Sequence, residues 1–333
     1  MDVNNKTLPN GGHKSFAQQI LSEKETESDI LRAVKNETQA LNISHRNLTV
    51  LPSCIAKMTC IKRLLLNNND ILMPPTEIVN LHTLEELTLD HNQLTVLPSG
   101  LGGLSNLRYL SLSHNKLSYL PPDIGDLKNL AQLWLVGCEL VAMPSEIGLL
   151  SSLQMLGARD NMISELPTEI SQCPKLKWLN LAGNRLQDLP SHFERLQNLI
   201  YLDISENRIV EIPPCLTKLQ RLSTLLLRKN FISSLPDDLL LGFSSLIKFD
   251  LRENKMTVRP SHWKGLDFIL LGSLEDESFM SDEDIPDGRM TPFDDARQRN
   301  KVIYTSSSEE DDDDDDVVED PMPSSSKLMP VNQ

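Results

Sequence analysis

The sequence predicts an α/β fold: a curved horseshoe solenoid with a parallel sheet on its concave side and irregular or 3₁₀ segments on its convex side. Three observations predict it. First, the stretch 84–98, LEELTLDHNQLTVLP, recurs every 23 residues, its opening position falling at 38, 61, 84, 107, 130, 153, 176, 199 and 222; only the last step, to Leu246, is 24. Second, paired leucines stand two apart in each period, as at Leu87 and Leu89 or Leu110 and Leu112. In a strand that spacing turns both side chains to one interior face. Third, an asparagine follows at a fixed offset among the leucines.

A period of roughly 20–29 residues carrying L-x-x-L-x-L-x-x-N-x-L is the signature of a leucine-rich repeat. The asparagine column reads Asn69, Asn92, Asn115, Cys138, Asn161, Asn184, Asn207, Asn230 and Asn254. A buried amide has to be hydrogen-bonded, and a stacked column can bond the backbone of neighbouring turns. The Leu-Pro that closes most periods ends the strand side, since proline cannot donate to a ladder. A second apolar pair, such as Ile124 and Leu127, then packs the return segment. No repeat buries its leucines alone, so about ten of them stack into one continuous core.

The ends follow from the same argument. Residues 1–27 are polar and are expected to be disordered. Ser28 and Asp29 offer an N-cap for a short capping helix over 28–37, with Ile30, Leu31 and Val34 at helical spacing. The solenoid is expected over 38–271, opening on an imperfect repeat in which Arg46 takes the asparagine position and closing on a cap that includes Trp263. Residues 272–333 are expected to form a disordered acidic tail.

Charge and cysteine content narrow the function. Of a net charge of −15 over 333 residues, residues 272–333 hold 19 acidic and 5 basic side chains, a balance of −14, which leaves the rest near −1. No basic patch suits a nucleic acid. Five cysteines, scattered and odd in number, predict free thiols in a reducing compartment. The first residues, MDVNNKTLPNGG, lack the apolar core of a signal peptide, and no apolar run approaches about 18 residues. Asp2 precludes N-myristoylation, and the last residues carry no prenylation box. Sequons at Asn36, Asn42 and Asn47 would matter only in a secreted protein. The expected location is cytoplasmic, with the nucleus as an additional one.

Strand positions that are not core leucines face the concave side. Two columns run through the repeats, and together they gather Tyr109, Trp134, Met155, Trp178 and Tyr201 in the middle of the chain. Exposed Trp, Tyr and Met in one patch are the material of protein-binding hot spots, with simple packing between neighbouring strands as the alternative. Arg159, Asp203 and Arg228, with Glu206, Lys229 and Arg252, are expected to form the polar rim of that patch. His91 and His114 share a column beside Asp90, but no third ligand is evident, so no metal and no cofactor is expected. Phosphate loops, zinc-protease motifs and nucleophile elbows are missing, and no catalytic residue is assigned.

The tail carries three weaker signals. Ser281, Ser306, Ser307 and Ser308 precede acidic runs favoured by casein-kinase-type kinases, and Thr291 precedes Pro292. Lys301, Val302 and Tyr304 resemble the basic–Val–x–aromatic peptide that docks on type 1 protein phosphatase, with Tyr in place of Phe or Trp. Six aspartates at 311–316 could attract basic nuclear proteins such as histones, or simply solubilise the chain.

The 23-residue Leu-Pro repeat, as in LRYLSLSHNKLSYLPPDIGDL at 107–127, resembles the intracellular leucine-rich repeats of the Ras-scaffold, Ras-suppressor and Scribble/Erbin group. The resemblance covers roughly residues 38–268. It implies a non-catalytic scaffold or adaptor in intracellular signalling that holds a protein on its concave face, in some members a small GTPase or a phosphatase complex. No PDZ-like segment follows the repeats, unlike in the Scribble/Erbin proteins. The acidic tail is similar to that of acidic nuclear phosphoproteins that bind histones, which have fewer repeats and a longer acidic tract.

Overall fold

The structure, a computed structural model, describes residues 16–74, 76–256, 258–272 and 303–304. One parallel sheet runs through the molecule. Its strands are β1 (Ala40–Asn42), β2 (Arg63–Leu65), β3 (Glu86–Thr88), β4 (Tyr109–Ser111), β5 (Gln132–Trp134), β6 (Met155–Gly157), β7 (Trp178–Asn180), β8 (Tyr201–Asp203), β9 (Thr224–Leu226), β10 (Lys248–Asp250) and β11 (Ile269–Leu270). Among these eleven, each pairs only with its sequence neighbours, and from β1 to β9 the register advances by the repeat length, so Glu86 lies beside Tyr109 and Tyr109 beside Gln132. The tail adds a two-residue strand, β12 (Ile303–Tyr304), parallel to β1.

Strands β1 to β10 are three residues long, and the middle residue of each points inward. Leu64, Leu87, Leu110, Leu133, Leu156, Leu179, Leu202 and Leu225 form that inner row, all at most 1% exposed. The return side is built of 3₁₀ turns such as Pro122–Asp126, Ser145–Leu149 and Thr168–Gln172, each opening after a proline. Their tight stacking rests on glycine: a Cβ on Gly102, Gly125 or Gly148 would collide with the carbonyl oxygen of Asp123, Glu146 or Glu169 in the next repeat. In the last full repeat the extra residue converts the turn to a short α-helix, α2 (Asp237–Leu241).

The asparagine column works as a ladder. The Asn92 side-chain amide donates to Leu66 O at 3.0 Å in the preceding repeat and to Leu89 O at 2.9 Å in its own; its Oδ1 accepts from Ile71 N–H at 3.1 Å. The same three bonds recur at Asn115, Asn184, Asn207 and Asn230. Cys138 can only half replace an asparagine. Its thiol donates to Leu112 O at 3.2 Å, but it has no oxygen for Leu117 N–H. Burial pushes that thiol up to about 12, so it stays a neutral donor. The residue before each ladder position has positive φ, from His45 through Glu253; glycine takes it only at Gly137 and Gly183.

The N-terminal cap departs from expectation. Helix α1 (Phe16–Lys35) begins twelve residues before the expected start, and Ser28 and Asp29 lie inside it rather than at its N-cap. The polar stretch before residue 28 contains no Gly or Pro after residue 12, and Thr26, Ile30 and Ala33 form the buried face at helical spacing. What selects helix over coil lies in the first repeat. Arg46 ion-pairs with Asp29 at 3.1 Å, and Ser22 Oγ donates to Arg46 O at 2.5 Å. Helix α1 stops two residues before the expected end because Glu37 turns to φ 50° and Thr38 N–H bonds back to Ala33 O, a Schellman closure. At the other end Trp263 is buried and its Nε1 donates to Asp237 Oδ1 at 3.0 Å.

Removing one rung should weaken the whole stack. Asn161→Ala strands Cys138 N–H, Leu140 N–H and Leu135 O, while Ala158 O keeps the Asn184 amide, and should lower stability by roughly 2–4 kcal/mol. Cys138→Asn should raise it by about 1 kcal/mol, the net worth of one regained bond. Denaturant midpoints check both; a neutral Asn161→Ala contradicts the ladder.

Candidate protein-binding site on the concave face

The strand columns place Tyr109, Trp134, Met155, Trp178 and Tyr201 on one face, as the two-residue alternation requires. None of the described elements packs across that face. Tyr109, Met155, Trp178 and Tyr201 are half-buried there. Trp178 stacks on Tyr201 with ring centroids 5.2 Å apart and planes within 10°; Trp134 meets Trp178 at 5.3 Å, tilted by 53°.

Trp134 corrects the expectation of an exposed anchor, since only 5% of it is accessible. The cause is Gly157, the residue beside it on β6. A Cβ there would come within 2.5 Å of Trp134 Cε3. The bare glycine lets the indole lie flat over the next strand and reach Trp178 two repeats away. A glycine inside a strand signals such a close approach, and Gly157 is a site residue that column-by-column reasoning passed over.

The rim also differs from expectation. Asp203 is buried, 7% exposed, and serves the backbone: its Oδ1 accepts from Ser205 N–H at 2.9 Å, while Tyr201 Oη lies 3.5 Å from Oδ2. Burial holds its carboxyl above the usual range. Arg159 is exposed and paired with Asp160 at 2.9 Å. Arg228 and Lys229 share Glu206, at 3.8 and 3.1 Å, and Arg252 clasps Asp250 at 2.7 Å. On the rim Arg159 and Arg252 are each paired with a carboxylate, and Arg228 and Lys229 share one.

Toward the N-terminal repeats the surface turns polar. Asp90 accepts from Ser111 Oγ at 2.5 Å and Ser113 N–H at 2.8 Å, and burial raises its carboxyl. Burial and the Asp90 charge push Tyr109 up to about 12. His91 and His114 stack face to face at 4.3 Å, which directs their nitrogens alongside one another rather than at a common point. Among the described residues no three His, Cys, Asp or Glu side chains converge as for a metal ion. Burial raises the Cys54, Cys138, Cys173 and Cys215 thiols, leaving them weak nucleophiles. Of the tail candidates, only Tyr304 lies within the described residues, in β12; Ser281, Thr291, Lys301, Val302, Ser306, Ser307 and Ser308 lie outside them.

Burial and the neighbouring His91 ring lower the His114 pKa. The folded state therefore binds that proton less readily than the unfolded chain, and its contribution to stability falls as pH drops below the ordinary histidine value. In an NMR titration His114 should titrate below a free histidine, and His91→Asn should move it upward; an unchanged value contradicts the stack.

Comparison with known proteins agrees with this geometry. A family model described as a leucine-rich repeat region matches residues 91–174, and one described as leucine rich repeat matches 174–228. A leucine-rich repeat protein of Leptospira interrogans is 34% identical over 71% of this chain and 67% of that chain, with a TM-score of 0.59. A TDR receptor crystal structure is 26% identical over 74% of this chain and 44% of its own, with a TM-score of 0.64. The Toll–Spatzle complex of Drosophila, at 21% identity, a TM-score of 0.60 and 71% and 37% coverage, shares the fold alone. The chain thus spans less than half of the second and third of these proteins. No curated protein matches the sequence. By its repeats, its sheet and its Leptospira relative, the chain belongs to the leucine-rich repeat proteins.

Proposed function

We propose that this chain is a non-catalytic adaptor of intracellular signalling that holds a protein partner over β4–β8. A leucine-rich repeat region is a protein-interaction module, and the single observation that supports this choice of site is the half-buried aromatic row Tyr109, Trp178 and Tyr201 with Met155, on a face that no described element covers. A rim whose charges are mostly paired with one another favours a partner held by contact area over one drawn in by charge. Resemblance to the Ras-suppressor and Scribble/Erbin repeats extends the proposal to a cytoplasmic scaffold for a small GTPase or a phosphatase complex.

Three baits test it in a capture from cell lysate: the full chain, Trp178→Ala/Tyr201→Ala with its fold checked by circular dichroism, and a truncation after Leu271. Partners should be lost with the double variant, by tenfold or more on the scale of about 2 kcal/mol per hot-spot residue, and should survive the truncation. Partners lost only with the truncation would contradict the proposal and transfer the function to the acidic tail, as a binder of basic nuclear proteins or through its phosphatase-like peptide.

A further inference from the structure

The middle of the concave face contains polar atoms with nothing to bond. Among the described residues the Nε1 donors of Trp134 and Trp178 and the Oε1 acceptor of Gln132 are buried without a hydrogen-bond partner. Gln132 and Trp134 are themselves 6% and 5% exposed. Trp263 is the contrast: its Nε1 donates to Asp237. Leaving such groups unpaired is costly. Asn67 Oδ1, Thr88 Oγ1 and Asp123 Oδ1 share that condition elsewhere among the described residues; the two indole donors and Gln132 are the group at the middle of the concave face. All three belong to β5 and β7, which flank β6, so they sit within about 10 Å of one another at ordinary strand spacing.

We infer that this patch receives an extended, uncharged segment of a partner polypeptide through that segment's main chain. The inference rests on the concave face being the docking face. An extended backbone presents C=O acceptors and N–H donors side by side, the complement of two indole N–H groups and one amide oxygen. A helix has already spent its main-chain groups internally. The outward and following positions of β5–β7 carry one charge, Arg159, and Asp160 neutralises it, so nothing there compensates a charged segment. The aromatic faces are taken, since Trp178 lies flat on Tyr201, which leaves ring edges rather than a platform for a sugar. Docking tilts the N–H edges of the two indoles toward the segment while Trp178 stays stacked on Tyr201. At Trp134 the residue against ring atoms Cε3 and Cζ3 is Gly157, which has no side chain to hinder that tilt.

The test selects binders to the full chain from a library of linear random peptides, beside a library of stapled helices, and follows the three indole N–H signals by ¹⁵N NMR. In the free chain the Trp134 and Trp178 N–H protons should lie upfield of Trp263, the hydrogen-bonded reference. A selected linear peptide should move both downfield and leave Trp263 in place. Trp134→Phe and Trp178→Phe, which keep the ring and remove the donor, should each weaken that peptide by about three- to tenfold. Selection of helices only, or peptides that bind both variants as well as the unaltered chain, would overturn the inference. If no linear peptide is selected while lysate capture still depends on Trp178, the extended segment is wrong and the concave docking face stands. If capture is also indifferent to Trp178, both fall.

Discussion

Everything in this fold depends on a buried asparagine amide that ties each repeat to the one before it. Asn92 joins its own turn to the strand of the preceding repeat and to the turn that follows that strand, and the pattern recurs along the stack. The amide has to be buried, because it sits between two leucine rows, and a buried amide left unpaired costs more than a paired one gains. Satisfying it fixes the offset between neighbours. The leucines supply the magnitude of the stabilisation and the asparagines supply the register, and a stack in which each unit meets only its neighbours needs both.

That register generates the concave face. Once each strand sits at the same offset, residues 23 apart become lateral neighbours, and a linear column becomes a row across the sheet. The row is also where the regularity is relaxed. Gly157 removes one side chain from the second column, Trp134 fills the gap, and Trp178 and Tyr201 continue the line. Indole donors are buried there without partners, whereas the ladder amides two residues deeper are fully bonded. A rigid scaffold that carries an under-satisfied patch in the middle of its concave face is the arrangement expected of a binding surface.

The periodicity made the strands, their register and the convex turns legible, because one spacing repeated ten times averages away local ambiguity. Composition alone did not reveal what depends on contacts between distant residues. The early start of α1 was hidden by its polar sequence, since Thr26, Ile30 and Ala33 form a face only once Arg46 and the first repeat are there to meet it. The aromatic patch was legible as a column, but the burial of Trp134 was not, since it depends on an absence next door at Gly157. Asp203 looked like a rim charge because sequence gives a residue's column without its depth. In hindsight the glycines at 102, 125 and 148, one repeat apart, were a readable sign of close stacking on the convex side.

The ladder can be tested most directly by native-state hydrogen exchange at one amide. Leu94 N–H and Leu140 N–H donate to Asn115 and Asn161 at 3.0 and 2.9 Å, whereas Leu117, the equivalent residue between them, faces Cys138, which has no oxygen to accept. If the asparagine bonds hold the repeats in register, Leu117 N–H exchanges faster than its two equivalents, and Cys138→Asn slows it to match them. Equal protection at all three amides in the unaltered chain would contradict the account, and would mean that leucine packing alone sets the stack.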